Sequence, residues 1–388
     1  MELVETSLDD IRQGVREYEL VEDRLLLASE TDNCEDIFAI QESLSLPWNL
    51  SEKGKTDPKA LSTGKGMTRK MISKPLSTPV EVSQPGSTLR QLYDILIKPV
   101  EHLIQGNKLL VIPEAALYCL PFSALLDGEG IFLSRKFSIQ VCTSLETLAL
   151  ISKRPKREFD GGALVIGNPL VGRVHRMGKE VKPSELPGAQ KEAERVASFL
   201  YTTALTQQMA TKSRVINYLV KASIVHIAAH GDPVKGEIVL APETHPNRRN
   251  QLPKEEDYLL TCADIASLNL RARLVVLSCC QTAHGDIRAE GVVGIARSFL
   301  GAGASAVVVT LWAIDDDATL AFMELFYKHV TTNMPICQAL QYSMMTLQGK
   351  EHLKRISNWA PFYVIGEDVK FTCSEIQQMK EKAFNFSA

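Results

Sequence analysis

SIVHIAAHGD, residues 223–232, and LVVLSCCQT, residues 274–282, decide how this chain is read. Each begins as a short apolar run and ends on a residue with reactive chemistry: His230-Gly231 in the first, Cys279-Cys280 in the second. Apolar runs of about four to eight residues, too short for helices, mark strands buried on both faces, as in the interior of a parallel sheet. Working outward, similar runs recur at Lys108–Ile112 (KLLVI, ended by Pro113), Ala163–Ile166, Ala306–Leu311 and Trp359–Ile365. Helical spacing of apolar residues falls between them, at Leu89–Val100, Lys191–Leu200, Gly294–Leu300 and Leu320–His329. Strands alternating with amphipathic helices predict an α/β fold, a doubly wound, mostly parallel sheet with helices on both faces.

Composition sets the outer limits. The chain has 388 residues, 45% hydrophobic and 23% charged, which is ordinary for a globular protein with a large core. Lys plus Arg number 43 against 46 Asp plus Glu, so a net charge of −3 offers no basic field to draw nucleic acid. The acidic start, MELVETSLDD, lacks the apolar core of a secretory signal. Ala304–Trp312 and the other apolar stretches are far shorter than the roughly 20 residues of a membrane helix. Eight dispersed cysteines do not make a disulfide scaffold. Buried, reduced thiols and a cytoplasmic protein are expected. Residues 1–46 read as an N-terminal hairpin region, 47–85 as a flexible linker or loop rich in Ser, Thr, Lys, Pro and Gly, and 371–388 as a helical tail. No internal repeat is visible.

In open parallel sheets the working crevice lies just beyond the carboxyl ends of the strands. Here that crevice receives a histidine from one strand end and a cysteine from another. A thiol is a weak nucleophile until a base raises its thiolate fraction, and an imidazole titrating near pH 6.5 is suited to the task. Gly231, lacking a Cβ, lets its backbone N–H approach a substrate carbonyl, and the Cys280 N–H is a natural second oxyanion donor. Taken singly, a strand-end histidine is commonly a hydrogen-bonded structural residue and a cysteine a small core residue. It is their pairing that carries the enzymatic reading. His226 lies on the same strand phase as His230 but deeper in the apolar run and reads as a core histidine. His284 is a weaker candidate base.

Other motifs fail on context. HIAAH lacks the Glu of a zinc-protease helix and sits on a strand. GAGASA, residues 301–306, precedes a strand and is read as a tight helix-to-strand turn instead of a dinucleotide fingerprint. Neither a phosphate-binding GxxxxGK[ST] nor a GxSxG elbow is present.

Over residues 89 to 366 the chain resembles the CHAT domain, a caspase-like module often attached to tetratricopeptide repeats and related to separase and caspases. The resemblance rests on an ordered series: VIPEAALYCLPFSALLD (111–127), TSLETLAL (143–150), VIGNP (165–169), LPGAQKEAERV (186–196), VHIAAHG (225–231), VVLSCCQT (275–282), EGVVGIARSFLGAGASAVVVTLWAIDDDAT (290–319) and NWAPFYVIG (358–366). It sets the domain at 86–370 and implies a cysteine peptidase with a His230/Cys280 dyad. The family's nucleophile immediately precedes Gln-Thr, with a small residue where Cys279 stands, which selects Cys280. The Gly231 and Cys280 amides are implied as the oxyanion hole, with no cofactor and no metal. Expected partners are a protein or peptide substrate and a regulatory tetratricopeptide-repeat region, with neither nucleic acid nor membrane.

The segment LWAIDDDAT follows a strand and borders the same crevice. It offers Trp312, Asp315 and Asp316 as pocket-lining residues, an acidic lining that favours a basic side chain. Asp316 or Asp317 capping a helix that begins near Ala318 is the competing reading. Two rival functions stand beside the peptidase. A catalytically silent scaffold would keep the fold without the chemistry, and a small-molecule thiol hydrolase would need a closed apolar pocket.

Overall fold

The most apolar runs of the chain become strands that are covered on both sides. Ala163–Pro169 (β3), Ile224–Ala228 (β7) and Leu274–Leu277 (β10) are buried throughout, and Ala306–Thr310 (β11) nearly so. The computed structural model describes residues 85–384 apart from 115–116, 119, 155–160, 233–234, 244–250 and 279–288, and it gives backbone alone for 85–88 and 289–292. The expected hairpin region and all but the last residue of the expected linker lie outside the described residues.

Eight strands form the main sheet. Lys108–Val111 (β1), Ser138–Val141 (β2), Ala204–Gln207 (β6) and Phe362–Gly366 (β12) join the four above in the order β1-β2-β12-β11-β10-β7-β3-β6. Every neighbouring pair is parallel except β11 with β12. The sheet is therefore mostly parallel, as its sequence predicts, but it has a seam. Five strands send their carboxyl ends one way, and β1, β2 and β12 send theirs the other. Two short ribbons stand apart, Val174–Arg176 (β4) with Lys179–Val181 (β5), and Ile238–Val239 (β8) with Leu259–Leu260 (β9).

Helices cover both faces. On one side Pro187–Phe199 (α3), Asp316–Val330 (α6) and Ile336–Gln348 (α7) bury Val196, Phe322 and Leu340 with Val165, Val276 and Val308 of the sheet. On the other, Lys212–Leu219 (α4) and Ala289–Ala302 (α5) bury Val215 and Phe299 with Leu164, Val225 and Val275. Pro85–Leu96 (α1), Leu145–Ser152 (α2) and Cys373–Glu381 (α8) complete the longer helices among the described residues. None of the helices in the described residues is long and apolar enough to cross a membrane.

Several boundaries differ from expectation for local reasons. The first helix ends at Leu96, short of Val100, because the residue before Pro99 is pushed out of helical geometry. α3 begins four residues early, with Pro187 in its first turn, where no amide bond is lost. The last strand begins at Phe362, since Ile356–Trp359 forms one helical turn and Pro361 follows it. The GAGASA segment is the expected turn: Gly303 has φ 128°, and a Cβ there would strike the Leu270 carbonyl.

Candidate active site

His230 stands two residues past the end of β7, on the face of that strand shared with His226. Beyond it the chain folds back against β8. Asp232 N–H donates to Glu237 O (2.7 Å) and Val239 N–H to His230 O (2.9 Å), so the Gly231–Ile238 bridge is a non-hydrogen-bonded antiparallel pair. At such a position the glycine N–H points away from its partner strand. The next strand over, β10, runs parallel to β7 in unbroken register from Leu274 opposite Ile224 to Leu277 opposite Ile227. Ser278 N–H prolongs the ladder to Ile227 O at 2.9 Å.

His230 is only 7% exposed, and its Nε2 lies 2.7 Å from the Ser184 carbonyl oxygen. A carbonyl only accepts, so Nε2 carries the proton and the neutral ring keeps its lone pair on Nδ1. Ser184 belongs to the segment leading into α3, and that segment is itself fastened: Leu186 N–H donates to Asn168 Oδ1 at the tip of β3, at 2.7 Å. Burial pulls the His230 pKa below its ordinary value, the Ser184 bond works against that shift, and the Arg176 guanidinium adds to it. Arg176 arrives on the β4–β5 hairpin, whose two-residue turn has Met177 at φ 47° and Gly178 at φ 77°. It is ion-paired with Asp232, two residues after the histidine.

The remaining expected site residues fall as follows. Cys279, Cys280 and His284 lie outside the described residues. Trp312 is 2% exposed in the core beneath α6, its indole N–H donating to Ser357 O at 3.0 Å. Asp315 caps α6, its Oδ1 accepting from the Asp317 and Ala318 amides at 3.1 and 3.2 Å. The cap thus sits one residue before the pair expected to provide it, because the helix starts at Asp316 instead of Ala318. Asp316 is exposed at the start of α6, and its carboxylate rests on Gly188 of α3, where any Cβ would collide with it. Partial desolvation of the carboxylate where it rests on α3, with Asp315 and Glu192 nearby, raises its pKa. No group of three or more metal-ligating side chains gathers among the described residues.

Sequence reasoning missed Ser184, Arg176 and Gly188. Ser184 acts through a carbonyl that every residue possesses, so no residue type marks it. The two-residue Met177–Gly178 turn between short β-prone segments was the available signal for the hairpin that carries Arg176.

These elements define an α/β domain whose parallel half presents a carbonyl-held histidine at a strand end. Residues 86–367 match the CHAT domain model, and the chain belongs to that family. Among curated proteins it is 30% identical over 327 residues to human tetratricopeptide repeat protein 28 and 31% identical to the mouse protein of that name. Each match covers 73% of this chain and 13% of the relative, so the chain spans about an eighth of their length. Among solved structures it is similar to separase of Saccharomyces cerevisiae in complex with securin, at 15% identity and TM-score 0.45, over 72% of this chain and 17% of that one. The Arg-specific cysteine proteinase gingipain R matches at 12% identity and TM-score 0.39, over 59% of this chain and 54% of that one.

Proposed function

We propose that this CHAT domain is a cysteine endopeptidase with His230 as base and Cys280 as nucleophile. The observation that carries the reading is the His230 imidazole itself, buried at a strand end with Nε2–H donated to Ser184 O, the tautomer whose basic nitrogen is Nδ1. Register supports the partner: residues facing each other on β7 and β10, such as Ile227 and Leu277, are separated by the same sequence interval as His230 and Cys280.

In the proposed reaction His230 Nδ1 takes the Cys280 thiol proton, and the thiolate attacks the scissile carbonyl carbon. The Gly231 and Cys280 amides receive the oxyanion, and the non-hydrogen-bonded geometry at Gly231 supports its part in this. As the C–N bond breaks, the imidazolium returns the proton to the leaving amine. Water, activated by the same nitrogen, then releases the acyl group and restores the thiol. Neither metal nor cofactor has a step to perform.

Of the three pocket candidates, Trp312 and Asp315 are engaged in holding the fold, which leaves the exposed Asp316 carboxylate as the group that would favour a basic side chain before the scissile bond. The relatives' name supports a tetratricopeptide-repeat region as the regulatory partner, and a reactive thiolate fits the reducing cytoplasm. The test is digestion of a proteome-derived peptide library, with and without a repeat region, followed by sequencing of the new termini. Cleavage enriched after Lys and Arg, and lost in Cys280→Ala and His230→Ala, supports the peptidase. Equal termini in wild type and variants would leave the silent scaffold.

A further inference from the structure

Four residues before His230, on the same face of β7, the fully buried His226 meets two other polar side chains. Its Nδ1 lies 3.0 Å from the Tyr327 hydroxyl of α6, and its Nε2 lies 3.3 Å from Glu192 Oε1 of α3. Glu192 is 2% exposed, set among Ala189, Ala193 and Val196 on the inward face of its helix. The Nε2–Oε1 approach lacks the alignment of a hydrogen bond, and neither atom has another partner among the described residues. Burial and the adjacent Glu192 carboxylate push the Tyr327 phenol well above its usual range, so it stays protonated and donates to Nδ1, which turns Nε2–H toward Glu192.

Such a cluster is a poor way to gain stability. Taking a carboxylate and an imidazole out of water costs as much as their attraction returns, and apolar residues of similar size commonly fill such places as well or better. What a polar pin does supply is register. The rest of the contact between α3 and the sheet is apolar, with Val196 beside the small Ala189, Ala193 and Ala197; Gly167 of β3 lies so close to α3 that a Cβ would strike the Ala193 methyl. Apolar contact is non-directional and fixes how far the helix has slid less tightly than a polar pin does. The cluster fixes it, and it does so between the elements that frame the candidate site. β7 carries His230, the segment entering α3 carries Ser184, and α6 begins with Asp316 against Gly188.

We propose that Glu192, His226 and Tyr327 are positioning residues: they lock α3 and α6 on β7 in the one placement that keeps the Ser184 carbonyl on His230 Nε2, and so hold the base in its tautomer and direction. The catalytic part of this rests on the peptidase reading; the positioning part does not. The experiment uses the full chain with ¹⁵N-labelled histidine, assigning the His230 Nε2–H resonance by its loss in His230→Gln. In the apolar replacement Glu192→Met/His226→Leu/Tyr327→Phe, cooperative unfolding is expected to persist, while the His230 Nε2–H exchanges with solvent at least tenfold faster than in wild type. Labelling of Cys280 by an irreversible peptide electrophile is expected to slow about 10- to 100-fold at saturating probe, with the half-saturating concentration unchanged. Should the triple variant not fold, Glu192→Gln keeps the shape and is expected to raise the exchange rate at least threefold. A melting temperature that falls while His230 exchange stays at the wild-type rate, in either variant, overturns the proposal. If exchange quickens as expected but wild-type Cys280 is never labelled, the positioning role stands and the peptidase reading falls.

Discussion

The two halves of the sheet run in opposite directions and are covered differently. In the five-stranded half, β3, β7 and β10 are covered on both faces, and their carboxyl ends lie at the same edge as His230, which follows β7. Buried there are a histidine, a glutamate and a tyrosine that use one another. In the three-stranded half, β1 alternates between exposed and half-buried positions, and its strands end at the opposite edge. Two buried polar groups on that side are tied to backbone, Gln140 Nε2 donating to Gly366 O (2.5 Å) and Ser123 Oγ to Ala360 O (3.0 Å), while the buried Asp127 carboxylate pairs with Lys136. The difference teaches that strand direction sets which edge of the sheet receives the carboxyl ends: those of the five-stranded half lie at the edge of His230, and those of the other half at the opposite edge.

Substitutions can break this contrast or sharpen it. The largest effect is expected at His230→Ala: the rate of Cys280 labelling by a peptide electrophile falls about 10²- to 10⁴-fold, as for loss of a general base, with little change in melting temperature. Next comes Gly366→Ala at the seam. Gly366 has φ 110°, and a Cβ would meet the Ser305 carbonyl oxygen at 2.5 Å. Loss of about 2–4 kcal/mol in denaturant unfolding is expected, with the labelling rate per folded molecule unchanged. If both variants lost stability and labelling together, the halves would not be separable.

A smaller effect is expected at Asp315→Ala, which removes the α6 cap: about 1 kcal/mol by thermal unfolding. The smallest is a pH slope. Burial holds the folded-state pKa of His230 below the roughly 6.5 of an unfolded histidine, so between those two values the unfolded chain binds more protons. The His230 contribution to stability is therefore present above about pH 6.5 and lost as pH falls through the folded value. Melting curves of His230→Asn against wild type over that window should show a shallower decline on acidification in the variant.

Much of the five-stranded half was legible in the sequence because burial on both faces writes a strand as an unbroken apolar run: IVHIA, LVVL and AVVVT are read directly. SIQV and ALTQ were not, since short strands carrying polar residues blend into loops. The seam was invisible as well, because an apolar run has no direction. His230 was readable from its place after a strand, and His226 from its depth within one. Glu192 was not. In KEAERV four of six residues are charged, and nothing local separates the one that turns inward from the three that face solvent. Ser184 left no trace because its contribution is a carbonyl.

The central claim is that His230 activates Cys280. Its most direct test is labelling of the full chain with a set of electrophilic peptide probes, in wild type, Cys279→Ala, Cys280→Ala and His230→Ala, with the modified residue read by mass spectrometry. The account predicts modification at Cys280 in wild type and Cys279→Ala, none at that position in Cys280→Ala, and near-complete loss in His230→Ala. Labelling that is indifferent to His230, or that falls on Cys279 in its place, would contradict it.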